Sequence, residues 1–227
     1  MKRTILFIIG CFLCGAMKAQ HQELFDEFRQ DAGDQAEMFV GKIEPGYPST
    51  VYINDPYWLD NNFTLGNVVF NGLTYKDVSL RYDAYLKQLV VNTPIKNSNV
   101  SVPMNSVEKF SLGTAEFERR NGEIMLILFK GSQMELVEWV QMELKEKFVD
   151  NVKVRYEFKR DVKYFILRSG QMFEVNSRNS VLKLFPAFKK ELRSFAKMHN
   201  LDFKEHRRSS LASMIMYVDE LLSNSLN

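Results

Sequence analysis

The chain has 227 residues, 45% of them apolar and 26% charged, with a formal net charge of +2 and two cysteines. This composition belongs to a folded globular protein and not to a disordered chain. The near-neutral balance also argues against a nucleic-acid partner, whose phosphates call for a strongly basic domain.

Lys2 and Arg3, the apolar run 5–14 and the small-residue exit 15–19 read as a secretory signal peptide ending before Gln20. The run is too short for a spanning helix, which needs about 20 apolar residues, and no later stretch approaches that length. Residues 1–19 are therefore expected to leave an exported domain with no transmembrane span, in the periplasm, at the outer membrane or secreted. Two alternatives stand beside this reading: cleavage after Ala16, and a lipobox at Ile8-Ile9-Gly10-Cys11 that would place a lipid on Cys11. Cys11 and Cys14 both lie in the signal, so the exported domain has no disulfide and rests on its core.

Loss of Lys2, Arg3 and Lys18 takes the net charge to −1, but the charge is unevenly placed. Residues 20–118 carry 7 Lys/Arg against 14 Asp/Glu, and residues 119–227 carry 20 against 14. The halves read as complementary faces of one body, or the basic half faces something anionic.

In chain order, Leu24, Phe25 and Phe28 predict a short amphipathic helix over 20–32. Gly41, Pro45, Gly46 and Pro48 make a loop, and Tyr47, Tyr52, Tyr57 and Trp58 are expected to pack at a sheet edge rather than form a ligand platform. Residues 66–118 read as antiparallel strands, with Asn71-Gly72 as a two-residue hairpin turn and alternation at Val78, Leu80 and Tyr82. Strands follow at 89–91, 100–102 and 107–112. The run 124–129 suits a strand buried on both faces. Residues 134–148 fit periods of both four and two, and the strand is preferred. Further strands are expected at 152–158 and 164–167, the latter pairing with 172–175 across Ser169-Gly170. Ser180 is read as the cap of a helix over 181–199, with Pro186 tolerated in its first turn. A last helix over 205–223 places Leu211, Met214, Ile215, Val218 and Leu222 in one stripe, expected to face the protein's own core.

The predicted fold is α+β: an antiparallel β-meander, strongly curved or a half-barrel, with a short N-terminal helix and two C-terminal helices. Its segments are a signal at 1–19, helix and loop at 20–48, a β-rich domain at 49–176, and a helical pair packed on the sheet at 177–227.

The stretch Gly66-Asn67-Val68-Val69-Phe70-Asn71-Gly72-Leu73-Thr74-Tyr75, with Val78-Ser79-Leu80-Arg81-Tyr82-Asp83-Ala84-Tyr85 and Leu89-Val90-Val91, resembles an uncharacterised family of small exported proteins of Bacteroidota-type bacteria. Tyr164-Phe165-Ile166-Leu167, the segment 180–185 and the helical end are similar to the same family, so the likeness covers most of the exported chain. The Met17-Lys18-Ala19-Gln20 exit is also common among exported proteins of such bacteria. The resemblance implies a location and a fold pattern and supplies no activity, cofactor or catalytic residue.

The histidines, His21, His199 and His206, lack zinc-like spacing, and the sequence holds no phosphate loop, serine elbow or cysteine nucleophile. No metal, cofactor or catalytic residue is therefore assigned, and the chain is read as not an enzyme. Asp77 and Asp83 are the nearest thing to an acid–base pair, but their parity opposes Val78, Leu80 and Tyr82, which places them on a solvated face. Lys153, Arg155, Lys159, Arg160 and Lys163, with Lys189, Lys190, Arg193, Arg207 and Arg208, are candidates for an anionic-surface patch. Three functions follow. The preferred one is a non-catalytic envelope component that binds or scaffolds an unknown envelope protein, or an anionic lipid or glycan surface. The others are a carrier of an apolar ligand in a curved-sheet cavity and a hydrolase with an unrecognised carboxylate site.

Overall fold

The computed structural model describes residues 37–93, 98–149 and 153–225. The helix expected at 20–32 and the signal lie outside the described residues. The strands are β1 Lys42–Ile43, β2 Thr64–Phe70, β3 Leu73–Asp83, β4 Gln88–Thr93, β5 Ser98–Val102, β6 Val107–Leu112, β7 Ala115–Arg120, β8 Glu123–Lys130, β9 Glu135–Val149, β10 Lys153–Arg168 and β11 Gln171–Glu174. They form an open, 11-stranded antiparallel sheet in the order β1-β5-β4-β3-β2-β6-β7-β8-β9-β10-β11. Three helices follow: α1 Arg178–Leu184, α2 Lys189–Met198 and α3 Arg207–Ser225.

Local turn chemistry sets much of this meander. Phe70 pairs with Leu73, Arg120 with Glu123 and Arg168 with Gln171, leaving two-residue loops at Asn71-Gly72, Asn121-Gly122 and Ser169-Gly170. Both residues of each loop have positive φ, from 48° at Asn71 to 82° at Gly122. That is the backbone whose twist matches the flanking strands, and glycine in second place adopts it without a Cβ clash.

Residues 134–148 settle as a strand. β9 pairs with β10 without a break from Glu135 opposite Leu167 to Val149 opposite Lys153. Across the ladder Glu143 faces Lys159 and Lys145 faces Glu157, and Lys147, which faces Arg155, forms its ion pair with Glu157. The two segments expected at 152–158 and 164–167 are one continuous strand.

The expected C-terminal pair of helices is three. Pro186 has no N–H to donate and its ring would press on the carbonyl of Leu182, so one helix cannot run from 181 to 199. α1 ends at Leu184, Pro186–Phe188 forms a single 3-10 turn, and α2 starts at Lys189. Ser177, not Ser180, caps α1; its side chain accepts from the Ser180 N–H while Ser180 reaches back to the Ser177 N–H.

Two apolar clusters make the core. One gathers Val68, Phe70, Leu80, Tyr82, Phe110, Phe117, Val140 and Phe158 with Trp58. The other joins Leu136, Tyr164 and Ile166 of the sheet to Val181, Leu192, Leu211, Met214, Ile215 and Val218 of the helices. Leu136, Val140 and Met142 share one parity on β9, so both clusters lie on the same face of its ladder with β10, end to end. Contacts also join strands that are not neighbours: Tyr82 lies 6.0 Å from Phe117 of β7, and Tyr85, just after β3, lies 5.1 Å from Phe158 of β10.

Candidate functional site

Between β1 and β2, residues 44–58 form a strap tied at both ends to the sheet. Ile53 N–H donates to the Tyr156 carbonyl and Tyr156 N–H donates to Val51, alongside a stretch of β10 that β11 does not reach. The Asn54 side chain continues this ladder, its amide donating to the Phe158 carbonyl at 2.8 Å and its oxygen accepting from the Phe158 N–H at 2.8 Å. Further along, Trp58 N–H donates to Tyr82 and Ala84 N–H to Pro56, which fixes the strap to the end of β3. Tyr47, Tyr52 and Phe158 form a ring cluster at centroid distances of 5.2 to 5.3 Å. These aromatics thus cover a strand edge that would otherwise expose its amides.

The strap also carries the acid cluster. Asp83 is 1% exposed, which corrects its placement on a solvated face. It accepts from the Tyr47 hydroxyl at 2.5 Å and from the N–H groups of Tyr85 and Leu86 at 2.9 and 2.8 Å. Burial raises its pKa above the ordinary aspartate value, while those three donors oppose the rise. Beside it the buried Glu44 pairs with Arg81 and accepts from the Tyr57 hydroxyl at 2.7 Å. The Arg81 guanidinium lies 4.1 Å from the centre of the Tyr57 ring and 4.4 Å from that of Phe63. Desolvation holds the Tyr47 and Tyr57 hydroxyls well above the usual phenol range, so they remain donors. Asp77 is exposed and sits at φ 54°, away from this network.

A second polar group lies between the two apolar clusters. Glu138, 1% exposed, follows Leu136 and precedes Val140 on the same face of β9. Arg208 of α3 grips its carboxylate with two bonds, and Arg160 of β10 stands 3.6 Å away. Arg160 also donates to the Trp58 carbonyl, so strap, sheet and α3 meet at one carboxylate. Asp219, also on α3, accepts from the N–H groups of Ser132, Gln133 and Met134 in the turn between β8 and β9.

The ten predicted patch cations therefore divide. Arg155 donates to the carbonyls of Ser49 and Tyr52, Arg160 and Arg208 converge on Glu138, and Lys163 lies over the Trp139 ring at 5.6 Å. Arg207 donates to Phe203 within its own turn, Lys159 is exposed, and the Lys153 side chain lies outside the described part. Lys189, Lys190 and Arg193 point outward from α2 with no carboxylate within 4.0 Å among the described residues. Arg178, Lys183 and Lys197 share that condition and were missed from sequence. The i, i+4, i+8 spacing of 189, 193 and 197 was the signal that could have found Lys197.

Open concavities of about 260 Å³ beside Asn67, Lys109 and Glu118 and about 570 Å³ beside Val40, Leu86 and Met104 lie elsewhere on the surface. Among the described residues no helix is long and apolar enough to cross a membrane. Comparison with family models, with curated proteins and with solved structures gave no match.

Proposed function

We propose that this protein is a non-catalytic component of a bacterial cell envelope, exported through its signal at 1–19, that scaffolds or binds a partner on its surface. The observation that carries the reading is the use made of the buried acids. Glu44 is matched to Arg81, Asp83 to Tyr47, Glu138 to Arg208 and Asp219 to the turn at 132–134, each a donor from another element, tying strap and helices to the sheet. Polar chemistry placed this way gives a rigid body that presents its outer face.

The contacts of Tyr82 with Phe117 and of Tyr85 with Phe158 support a strongly curved sheet, a half-barrel with residues 44–58 laid across it. A carrier of an apolar ligand is the weaker reading, since rings already meet inside the curve, Phe110 and Phe117 stacking at 4.7 Å and Trp58 meeting Phe117 at 4.9 Å. A hydrolase on Asp77 and Asp83 is weaker still, because these two stand in unlike surroundings and Asp83 is engaged by three donors.

Expression of the full chain in a Bacteroidota-type bacterium, followed by fractionation and intact mass, tests the proposal. A chain starting at Gln20 in the envelope or medium is the expected product. An added acyl mass on a chain starting at Cys11 would make it a lipoprotein, and recovery of the uncleaved chain in the cytoplasm would overturn the envelope reading.

A further inference from the structure

We infer that the outer face of α1 and α2 is a docking surface and that its partner is an anionic lipid bilayer, an inference that rests on the envelope reading above. The two helices carry six cations, Arg178, Lys183, Lys189, Lys190, Arg193 and Lys197, against one carboxylate, Glu191. All six are exposed, and none has a carboxylate within 4.0 Å among the described residues. On the strands, Arg81, Arg120, Lys130, Lys145 and Lys147 are in ion pairs, while Lys42, Lys76, Lys109 and Lys159 are exposed and in none among the described residues. The helical end thus gathers its six unopposed cations within residues 178–197, whereas the unpaired lysines of the sheet are spread over four strands.

That end is also preformed. α2 turns Leu192 and Ala196 into the core, and Phe195 stacks on Tyr217 of α3 at 4.3 Å and 8°. Its basic side is therefore held outward without further ordering, which lowers the entropic cost of docking. At the end of the same helix Met198 is 70% exposed, an apolar side chain directly after Lys197. The apolar side of α2 stays in the core, so Met198 gives the basic face one apolar contact for the headgroup boundary. Four of the six cations are lysines, compact charges suited to a diffuse headgroup field, whereas bidentate recognition of fixed protein carboxylates favours arginine.

The test uses the exported chain and vesicles of neutral phosphatidylcholine, alone or with about a third phosphatidylglycerol, in low salt. Binding is expected only to the anionic vesicles and should weaken as salt shortens the Debye length to roughly 8 Å. K189Q/K190Q/R193Q should lose on the order of a hundredfold in affinity, at about fivefold per cation. K76Q/K109Q/K159Q, which removes the same charge from exposed positions on the sheet, should change binding by less than about twofold if the helical face is the contact. Met198→Cys supplies a single thiol in the exported chain, and an environment-sensitive dye on it should shift to the blue on anionic vesicles. Equal losses in both triple variants, a dye that does not shift while the protein binds, equal affinity for soluble polyglutamate, or no preference for anionic vesicles would each overturn the inference. Localisation is read separately by fractionation, so failure here is distinguishable from failure of the envelope reading.

Discussion

Arg208 of α3 reaches Glu138 near the start of β9 with two hydrogen bonds, 2.6 Å from Nε and 2.5 Å from Nη2, where the carboxylate has no exposed surface of its own. Glu138 stands between Leu136 of the helix-covered cluster and Val140 of the strap-covered one, so this pair ties α3 to the sheet where the two clusters meet, with Leu128 and Val162 packed against both. Bidentate geometry makes the contact specific as well as attractive.

Arg208→Met should therefore destabilise the protein by about 3–5 kcal/mol, since Glu138 would stay buried with only the more distant Arg160. Adding Glu138→Leu should restore most of that loss, because an apolar pair of similar volume carries no desolvation cost. Thermal melts of both single variants and the double variant check this. Additive losses would mean that the two side chains are not coupled.

Asp83 gives a pH signature. Its pKa in the folded state lies above the unfolded value, chiefly through burial, so the folded protein binds the proton more tightly than the unfolded chain does. Its contribution is then fully present below the ordinary aspartate value of 3.8 and is lost as pH rises through the higher folded value. Asp83→Asn can keep the two N–H bonds on its oxygen and turn its amide toward Tyr47. The variant should be more stable than the parent at neutral pH and should lose this part of the slope. Urea midpoints from pH 4 to 7 decide it; parallel curves for the two proteins would refute the assignment.

The Asn54 side chain stands in for a neighbouring strand at Phe158, a residue only 3% exposed. Asn54→Leu would leave that N–H and carbonyl without partners, at about 1–3 kcal/mol for each buried polar group left unmatched. Amide exchange at Phe158 should accelerate, and exchange at Leu167, paired on β9 and β11, should not. Protection unchanged at Phe158 would mean that the strap does not guard this edge.

What was legible in the sequence was what local chemistry decides. Asn71-Gly72 announces its hairpin because both residues tolerate positive φ, and Val78, Leu80 and Tyr82 are buried on β3 as their spacing implies, although Arg81 and Asp83 are buried with them. The stripe on α3 likewise reads from spacing alone. Asp83 was misplaced because strand parity knows nothing of the strap, whose Tyr47 arrives from 36 residues away. Nothing in the apolar periods of 134–148 singles out Glu138, because its partner lies 70 residues further on. Asp219 and Arg208 sit on a helix whose polar positions look alike until the turn at 131–134 and the start of β9 are packed against it. The break at Pro186 was legible in principle, but reading the proline as a first-turn residue placed the helix start too late.

The last prediction concerns α3. Leu211, Met214, Ile215 and Val218 are each fully buried, packed among Leu136, Ile166, Val181 and Leu192. Burial of each such side chain is worth about 1.5–3 kcal/mol, and truncation adds the cost of the cavity left behind. Met214→Ala should then cost about 2–5 kcal/mol, which at this size lowers the melting temperature by roughly 4–20 °C at 2–4 °C per kcal/mol. Gly131→Ala attacks the same helix from the other side. A Cβ there would come within 2.5 Å of the Asp219 carboxylate, forcing it away from the amides of Ser132, Gln133 and Met134. It should destabilise by about 1–3 kcal/mol, the cost of buried donors left unmatched. Because both changes loosen one helix, the double variant should depart from additivity. If Met214→Ala melts within a degree of the parent, α3 is not a core element and its stripe belongs to a partner instead.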